Sequence, residues 1–361
     1  MIAVELNFQG KLGIDELMEN IRDIGPISVN QELDNTLHSG DNLEVMKSML
    51  IHHNMEGVID FIYIDPPYSS NQVFSVSDGR KNTISRVNDG DVAYSDVLKE
   101  DDYLAFIYNR LLLMKQLLSE NGSIFVHLDD KMGHYVKILM DEVFGIKNFR
   151  NDISRIKCNP KNSNSKQFGN QKDNIYFFTK SKKNIWNDPR TPKTDTQIEK
   201  AYDKTDSRGN RYTTVPLHAP GETKDGPTGQ PWRGMKPPEG RHWRTNPEEF
   251  DKLDEEGRIE WSRNGNPRKK NYAKDDKGNR MQDIIEYKDP QDPIYPTEKP
   301  WKMIEMLIRA TTNNHGLVFD CFCGSGSTLF AAKKSGRRYI GIDLSDVAIQ
   351  TATKRLSQFD N

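Results

Sequence analysis

The residues best suited to chemistry form one tetrad, Asp65-Pro66-Pro67-Tyr68. A carboxylate, a carbonyl held out of any ladder by two prolines, and an aromatic ring can together grip and activate a planar amine. Adenine N6 is such an amine. Its lone pair is delocalised into the ring, so the nitrogen is a poor nucleophile until acceptors hold its hydrogens. Asp65 and the Pro66 carbonyl can supply both acceptors, and Tyr68 a face on which a flat base stacks, at about 1–3 kcal/mol. The same four residues can equally be an ordinary strand-ending Asp-Pro turn. The tetrad therefore gains meaning only beside a donor site.

The element that must position it is Val58–Ile64, short, apolar and rich in β-branched and aromatic residues, which predicts a buried strand of an α/β sheet. Two prolines stop that strand, because proline brings no N–H to a ladder. Asp65 is thereby expected at the C-terminal lip of a parallel sheet, where open α/β folds bind ligands.

A donor site is legible near the other end of the chain. Leu317-Val318-Phe319 predicts a strand, Asp320–Thr328 a glycine-containing loop, and Leu329–Lys334 a helix. Gly324 and Gly326 allow close backbone approach to a ligand. Leu329 stands where the dinucleotide fingerprint has its third glycine, and the Walker lysine pattern is absent, so pyrophosphate is disfavoured. A second strand, Arg338–Ile342, ends in Asp343, placed to bind ribose hydroxyls. A ligand with a ribose and no pyrophosphate fits S-adenosylmethionine. Its sulfonium is already an activated donor, so no metal is expected.

Between these motifs the chain alternates strands with helices, the pattern of a parallel sheet covered on both faces. Helices are expected after Asp41, over Tyr103–Leu118 and over Tyr135–Phe144, and strands over Ser123–Leu128 and Asn174–Thr179. Asp41 either caps the first of these helices or accepts a hydrogen bond from a ligand's amino group. Residues 69–97 predict a long polar loop, able to close over a substrate.

A length of 361 residues fits one large domain with an insertion, or two domains. No run approaches a membrane span, and the start lacks the plan of a signal peptide. Three cysteines make no disulfide framework, and no Cys/His cluster accompanies Cys321 and Cys323, so a cytoplasmic setting is expected. The net charge is only −2, but it is segregated: residues 1–150 carry 13 Lys/Arg against 24 Asp/Glu, and residues 151–280 carry 28 against 19. A basic middle segment is the footprint of a polyanion partner. Residues 181–293 are rich in Pro, Gly, Trp and Arg, and Trp232, Arg233, Arg241, Trp243, Arg244 and Arg263 interleave aromatics with cations. That pattern suits phosphate contacts and base stacking. It also suits a loop-rich subdomain whose tryptophans are core and whose arginines face solvent.

Together the motifs resemble the β group of DNA amino-methyltransferases, in which the catalytic tetrad precedes the cofactor loop. Asp65-Pro66-Pro67-Tyr68 is similar to the adenine form of the family's catalytic motif, the cytosine form usually beginning with Ser. Phe322-Cys323-Gly324-Ser325-Gly326 resembles its cofactor loop, and Tyr295–Pro300 the segment that helps bind the methionine end. The resemblance thus implies Asp41, Thr297, Lys299, Asp320, Phe322, Gly324, Ser325, Gly326, Ser327 and Asp343 as contacts to S-adenosylmethionine. Similarity extends through His127–Asp130, Phe144–Phe149 and Asp173–Phe178, and the combination most resembles type III modification subunits and their solitary relatives.

The resemblance implies a seven-stranded, mostly parallel, Rossmann-like methyltransferase sheet whose last strand is antiparallel. Residues 1–180 would form its catalytic half, 181–293 an inserted target-recognition region and 294–361 its cofactor half. The implied activity is methylation of adenine N6 in double-stranded DNA, on a base flipped out of the stack. Cytosine N4 methylation and a catalytically silent DNA-binding subunit are the alternatives. A second copy of the chain and a restriction subunit are the further partners it allows.

Overall fold

Alternation along one strand, Ile59–Ile64, sorts the core of the protein. Ile62 and Ile64 pack on one side of the sheet with Met46, Leu111, Met114 and Leu139. Phe61 and Tyr63 pack on the other with Met303, Ile304, Leu307 and Leu329. Both faces are apolar because both are covered by helices. Ile59 shares the face of Ile62 because the register slips between Ile59 and Phe61. The intervening Asp60 turns to accept from Ser119 Oγ at 3.2 Å and Leu317 N at 3.0 Å.

The structure is a computed structural model that describes residues 5–19, 25–26, 33–67, 73–76, 91–95, 100–160, 166–295 and 298–358. The chain divides into two units, Met1–Pro189 with Met281–Asn361, and Arg190–Arg280. Residues 181–189 and 281–293, expected within an insertion, thus belong to the larger unit.

The larger unit carries β1 (Thr36–Ser39), β2 (Ile59–Ile64), β3 (Leu118–Leu128), β4 (Phe149–Ile156), β5 (Lys172–Thr179), β6 (Ile284–Glu286), β7 (Leu317–Asp320) and β8 (Arg338–Asp343). Their order across the sheet is β1-β8-β7-β2-β3-β5-β4-β6. Its helices are α1 (Ile14–Glu19), α2 (Asn42–His52), α3 (Glu100–Leu117), α4 (Gly133–Met140), α5 (Trp301–Thr311), α6 (Ser327–Lys334) and α7 (Asp346–Ser357). The sheet is mostly parallel, as expected, with eight strands rather than seven because Ile284–Glu286 adds to β4 at the edge. The antiparallel strand is β5, which lies inside the sheet between β3 and β4 and is not the last in the chain. The strand expected over Ser123–Leu128 begins earlier, at Leu118, directly after α3. The expected loop after Tyr68 falls largely outside the described residues, and its described parts, Val73–Val76 and Asp91–Ser95, pair antiparallel.

The Arg190–Arg280 unit is built on a four-stranded antiparallel sheet in the order Ile259–Trp261, Pro267–Tyr272, Arg211–Pro216, Lys204–Thr205. Leu217, Trp232, Trp243, Phe250 and Ile259 form its small core. A ribbon of Arg190–Thr191 against Asn279–Arg280 holds together the two ends of the unit.

Candidate active site

Four strands adjacent in the sheet, β1, β8, β7 and β2, run parallel, and each delivers a carboxylate to the same end. These are Asp41, just past β1, then Asp343, Asp320 and Asp65. β2 lies directly beside β7, Phe61 against Val318 and Ile62 against Phe319. The tetrad and the glycine loop, remote in sequence, therefore leave neighbouring strands at one lip. Pro66 is buried behind Asp65. Tyr68 and Thr297 lie outside the described residues.

Asp65 has a partner that the sequence reading assigned elsewhere. The ammonium of Lys299, itself buried, stands 2.5 Å from Asp65 Oδ2. The segment expected to reach a cofactor thus also meets the candidate catalytic carboxylate.

The glycine loop is held from both sides. Gly324 adopts a φ of +48° and its N–H donates to Asp343 Oδ2 at 2.8 Å, while Asp343 Oδ1 accepts from Ser345 N at 2.9 Å. Burial raises the Asp343 carboxyl above its ordinary range, against the pull of those backbone donors. At Gly326, with φ +75°, a Cβ would come within 2.9 Å of Ala352 Cβ on α7, so the loop can lie on that helix only without a side chain. Asp320 accepts from Phe322 N at 2.9 Å. Burial pushes its carboxyl up to about 7, with Asp65 and Asp343 nearby adding in the same direction and the Thr328 hydroxyl opposing. Cys321 and Cys323 are buried, and burial drives both thiols well above their usual range, so neither is a ready nucleophile.

Two arginines not foreseen from the sequence lock this lip. Arg355 Nη1 donates to Ser325 Oγ at 3.2 Å and Ser327 Oγ at 3.0 Å, and its Nη2 pairs with Glu298 at 2.8 Å. Both hydroxyls expected to face a ligand are thus engaged by α7. Arg110 donates to Asp41 Oδ1 at 2.8 Å and to Asn42 Oδ1 at 2.5 Å, and Asn42 Nδ2 donates to the Cys321 carbonyl at 2.7 Å. The Arg110 guanidinium also covers the Phe106 ring at 3.6 Å, and Phe106 packs on Phe322. Asp41 does cap α2, accepting from Leu43 N at 2.8 Å, and its side chain remains about half exposed. The available signal for Arg110 is a cation set among the apolar residues of a helix, Ile107 and Leu111 to Leu113. Arg355 had none.

Beneath Asp65 a buried polar chain crosses three strands. Tyr63 Oη and His127 Nδ1 are hydrogen-bonded at 2.6 Å, and His127 Nε2 meets Asp173 Oδ2 at 3.2 Å. Lys157 reaches Asp173 Oδ1 at 2.6 Å, and Arg155 approaches its other oxygen at 3.4 Å. Burial lowers the His127 affinity for protons, and bonds from His127 and Lys157 outweigh burial to hold the Asp173 carboxyl well below its ordinary range. Among the described residues no His/Cys/Asp/Glu group is placed to hold a metal ion, and no helix is long and apolar enough to cross a membrane.

In the Arg190–Arg280 unit the aromatic candidates need correction. Trp232 and Trp243 are core residues, 1% and 3% exposed. Their indole N–H groups donate to Asp251 Oδ1 at 2.9 Å and to the Gln230 carbonyl at 2.8 Å. Rings so enclosed cannot stack on a base without opening the core. The Arg233 guanidinium is spent on Asp251 and Asp254, at 3.1 and 2.6 Å. Arg241 and Arg244 are exposed but lean on His218 Nδ1 and the Pro216 carbonyl, and Arg263 is exposed without a partner among the described residues. Positive charge is also less concentrated here than expected: residues 190–280 hold 20 Lys/Arg against 16 Asp/Glu. The remaining excess of the basic segment lies on residues 151–189, in the larger unit.

A mostly parallel sheet that brings a carboxylate-proline turn beside a glycine loop is an arrangement able to serve group transfer from a nucleotide-like donor. The family described as DNA methylase, of N6/N4 type, matches residues 59–354, and the chain belongs to that S-adenosylmethionine-dependent family. It is similar to type II methyltransferase M.EcaI of Enterobacter cloacae, with 39% identity over 368 residues, covering 98% of this chain and 78% of that protein. It is 25% identical to the Mod subunit of the type III restriction-modification enzyme StyLTI of Salmonella typhimurium, over 84% of this chain and 50% of that subunit. Among solved structures, the M1.HpyAVI-SAM complex aligns with 89% of this chain and 98% of its own, at 16% identity and a TM-score of 0.48.

Proposed function

We propose that the protein is a site-specific DNA methyltransferase that methylates adenine N6 with S-adenosylmethionine as donor. The observation that carries this reading is the adjacency of β2 and β7, which puts Asp65-Pro66 and the Asp320–Thr328 loop on one lip. The lip suits the donor. Gly324 and Gly326 keep side chains off the loop, and Asp343 holds a carboxylate whose oxygens retain acceptor capacity beyond the backbone donors that meet it. Asp41 stands half exposed at the same end, an acceptor for an amino group.

When bound, S-adenosylmethionine supplies a methyl group on a sulfonium. The chain's own task is to present the amine to it. Asp65 and the Pro66 carbonyl accept the two hydrogens of N6, localising its lone pair, and Tyr68 stacks against the base. Lys299 fixes the Asp65 carboxylate in one orientation. Much of the acceleration in such a site is positioning. The base reaches the lip only when flipped from the duplex. Relatives named for type II and type III systems support a restriction-modification setting.

The test is nucleoside analysis of DNA from cells that express the protein. N6-methyladenine supports the reading, N4-methylcytosine transfers the activity to the other base, and neither nucleoside leaves a silent DNA-binding subunit.

A further inference from the structure

Some cations of the Arg190–Arg280 unit are answered by its own carboxylates: Arg233 by Asp251 and Asp254, and Arg211 by Glu199. One concave site differs. A cavity of about 440 Å³ is lined by Arg190, Lys193, Arg258, Lys269 and Lys277, against only two carboxylates, Asp275 and Asp276. Both carboxylates are already committed. Asp276 takes the Lys193 ammonium and the Tyr202 hydroxyl, and Asp275 takes Arg258 at 2.8 Å. The ammoniums of Lys269 and Lys277 have no hydrogen-bond or ion-pair partner among the described residues. Lys269 and Asn271 alternate along the strand Pro267–Tyr272, so both project from one face of the sheet.

The chemistry of the lining points to an oxyanion rather than a base. The Tyr272 ring already has neighbours, with Arg258 at 5.5 Å and Lys274 at 5.4 Å from its centroid and Tyr212 beside it at 5.6 Å. Tyr202, the other aromatic, is buried. No open ring awaits a stacked base, while two uncommitted ammoniums and an amide converge on the cavity.

We propose that this cavity binds backbone phosphates of the DNA, with Lys269 and Lys277 as its contacts. The assignment rests on the reading of the protein as a DNA methyltransferase. It moves the polyanion contact from residues 231–263, where the tryptophans are core, to the floor between Pro267–Tyr272 and the ribbon that closes the unit. Contacts of this kind set register and orientation on the duplex and carry no sequence information.

The experiment compares the wild-type protein with the double variant Lys269→Gln/Lys277→Gln, and with Lys269→Arg/Lys277→Arg as the charge-retaining control. Binding of a short labelled duplex carrying a site that the wild type methylates is measured across a salt series. Removal of two phosphate contacts lowers the slope of log affinity against log salt by about two, weakens binding evenly across sequences, and is reversed by arginine. A wild-type slope in a folded glutamine variant, judged by an unchanged melting temperature, overturns the assignment alone. So does acylation footprinting in which inorganic phosphate protects Lys269 and Lys277 while duplex DNA does not. A wild-type protein that neither binds nor methylates any duplex overturns both this assignment and the reading beneath it.

Discussion

Lys299 and Asp65, from opposite ends of the chain, meet at 2.5 Å on the lip of the sheet. The pair explains how the carboxylate keeps one orientation: an ammonium, buried along its stem, holds one of its oxygens. If Asp65 accepts from the target amine, Asp65→Ala removes methyl transfer while donor affinity stays within a few-fold. Loss of one such acceptor is expected to cost about 3–4 kcal/mol, or roughly two to three orders of magnitude in rate, by analogy with oxyanion donors. Single-turnover transfer above about a tenth of the wild-type rate would remove Asp65 from this role.

Lys299→Met should act through the same carboxylate. A double-mutant cycle with Asp65→Ala tests this, because groups that work as one unit are not additive. In the Asp65→Ala background the lysine substitution should cost the transfer step little further. Full additivity would separate Lys299 from Asp65 and leave it to the donor alone.

Asp343 sits where the loop and the last strand of the sheet converge, bonded to Gly324 N and Ser345 N. Asp343→Asn keeps much of the shape but loses the charge. If the carboxylate accepts ribose hydroxyls, each charge-assisted bond lost weakens donor binding by about 1.5–3 kcal/mol. Calorimetric titration of the folded variant with S-adenosylmethionine measures it, and an unchanged affinity would place the ribose elsewhere.

The sheet and the two motifs were legible because their signals are local. A run such as Ile62-Tyr63-Ile64 before two prolines leaves the chain few options, and Gly324 and Gly326 mark a loop whose geometry excludes side chains. What the sequence concealed are contacts made by the fold between distant residues. Arg355 with Ser325 and Ser327, and Lys299 with Asp65, depend on which strands become neighbours. The buried chain Tyr63–His127–Asp173 is a third case, since each member alone reads as an ordinary strand residue. The insertion misled for a different reason. Interleaved tryptophan and arginine describe a small core and its solvated rim as well as they describe a stacking surface, and burial alone separates the two.

Asp320 gives a pH dependence with a defined sign. Its carboxyl, near 3.8 in an unfolded chain, is pushed up to about 7 by burial. The fold therefore binds this proton more tightly than the unfolded chain does, and the stability it contributes is complete below about pH 4 and lost as pH rises towards 7. The difference is on the order of 4 kcal/mol when fully developed. Asp320→Asn, neutral at every pH, should be more resistant to urea than wild type at pH 8, with the gap closing towards pH 4. Equal resistance at both pH values would show that the ionised carboxylate is accommodated without cost.

The last prediction separates the two readings of the tryptophans. Trp232 is 1% exposed, packs edge-on against Phe250 and lies flat under Trp261 at a centroid distance of 5.7 Å. Truncating a ring buried this deeply costs about 3–5 kcal/mol, from lost transfer energy and the cavity left behind. The core of this unit is small, so that loss is a large share of its stability. Trp232→Ala should therefore lower the melting of the Arg190–Arg280 unit steeply, and Trp232→Phe should restore most of it. DNA binding should track folding through both variants. Trp261 is 44% exposed, so Trp261→Ala should cost the fold far less. A Trp232→Ala protein with wild-type melting and weakened duplex binding would return that ring to the DNA interface.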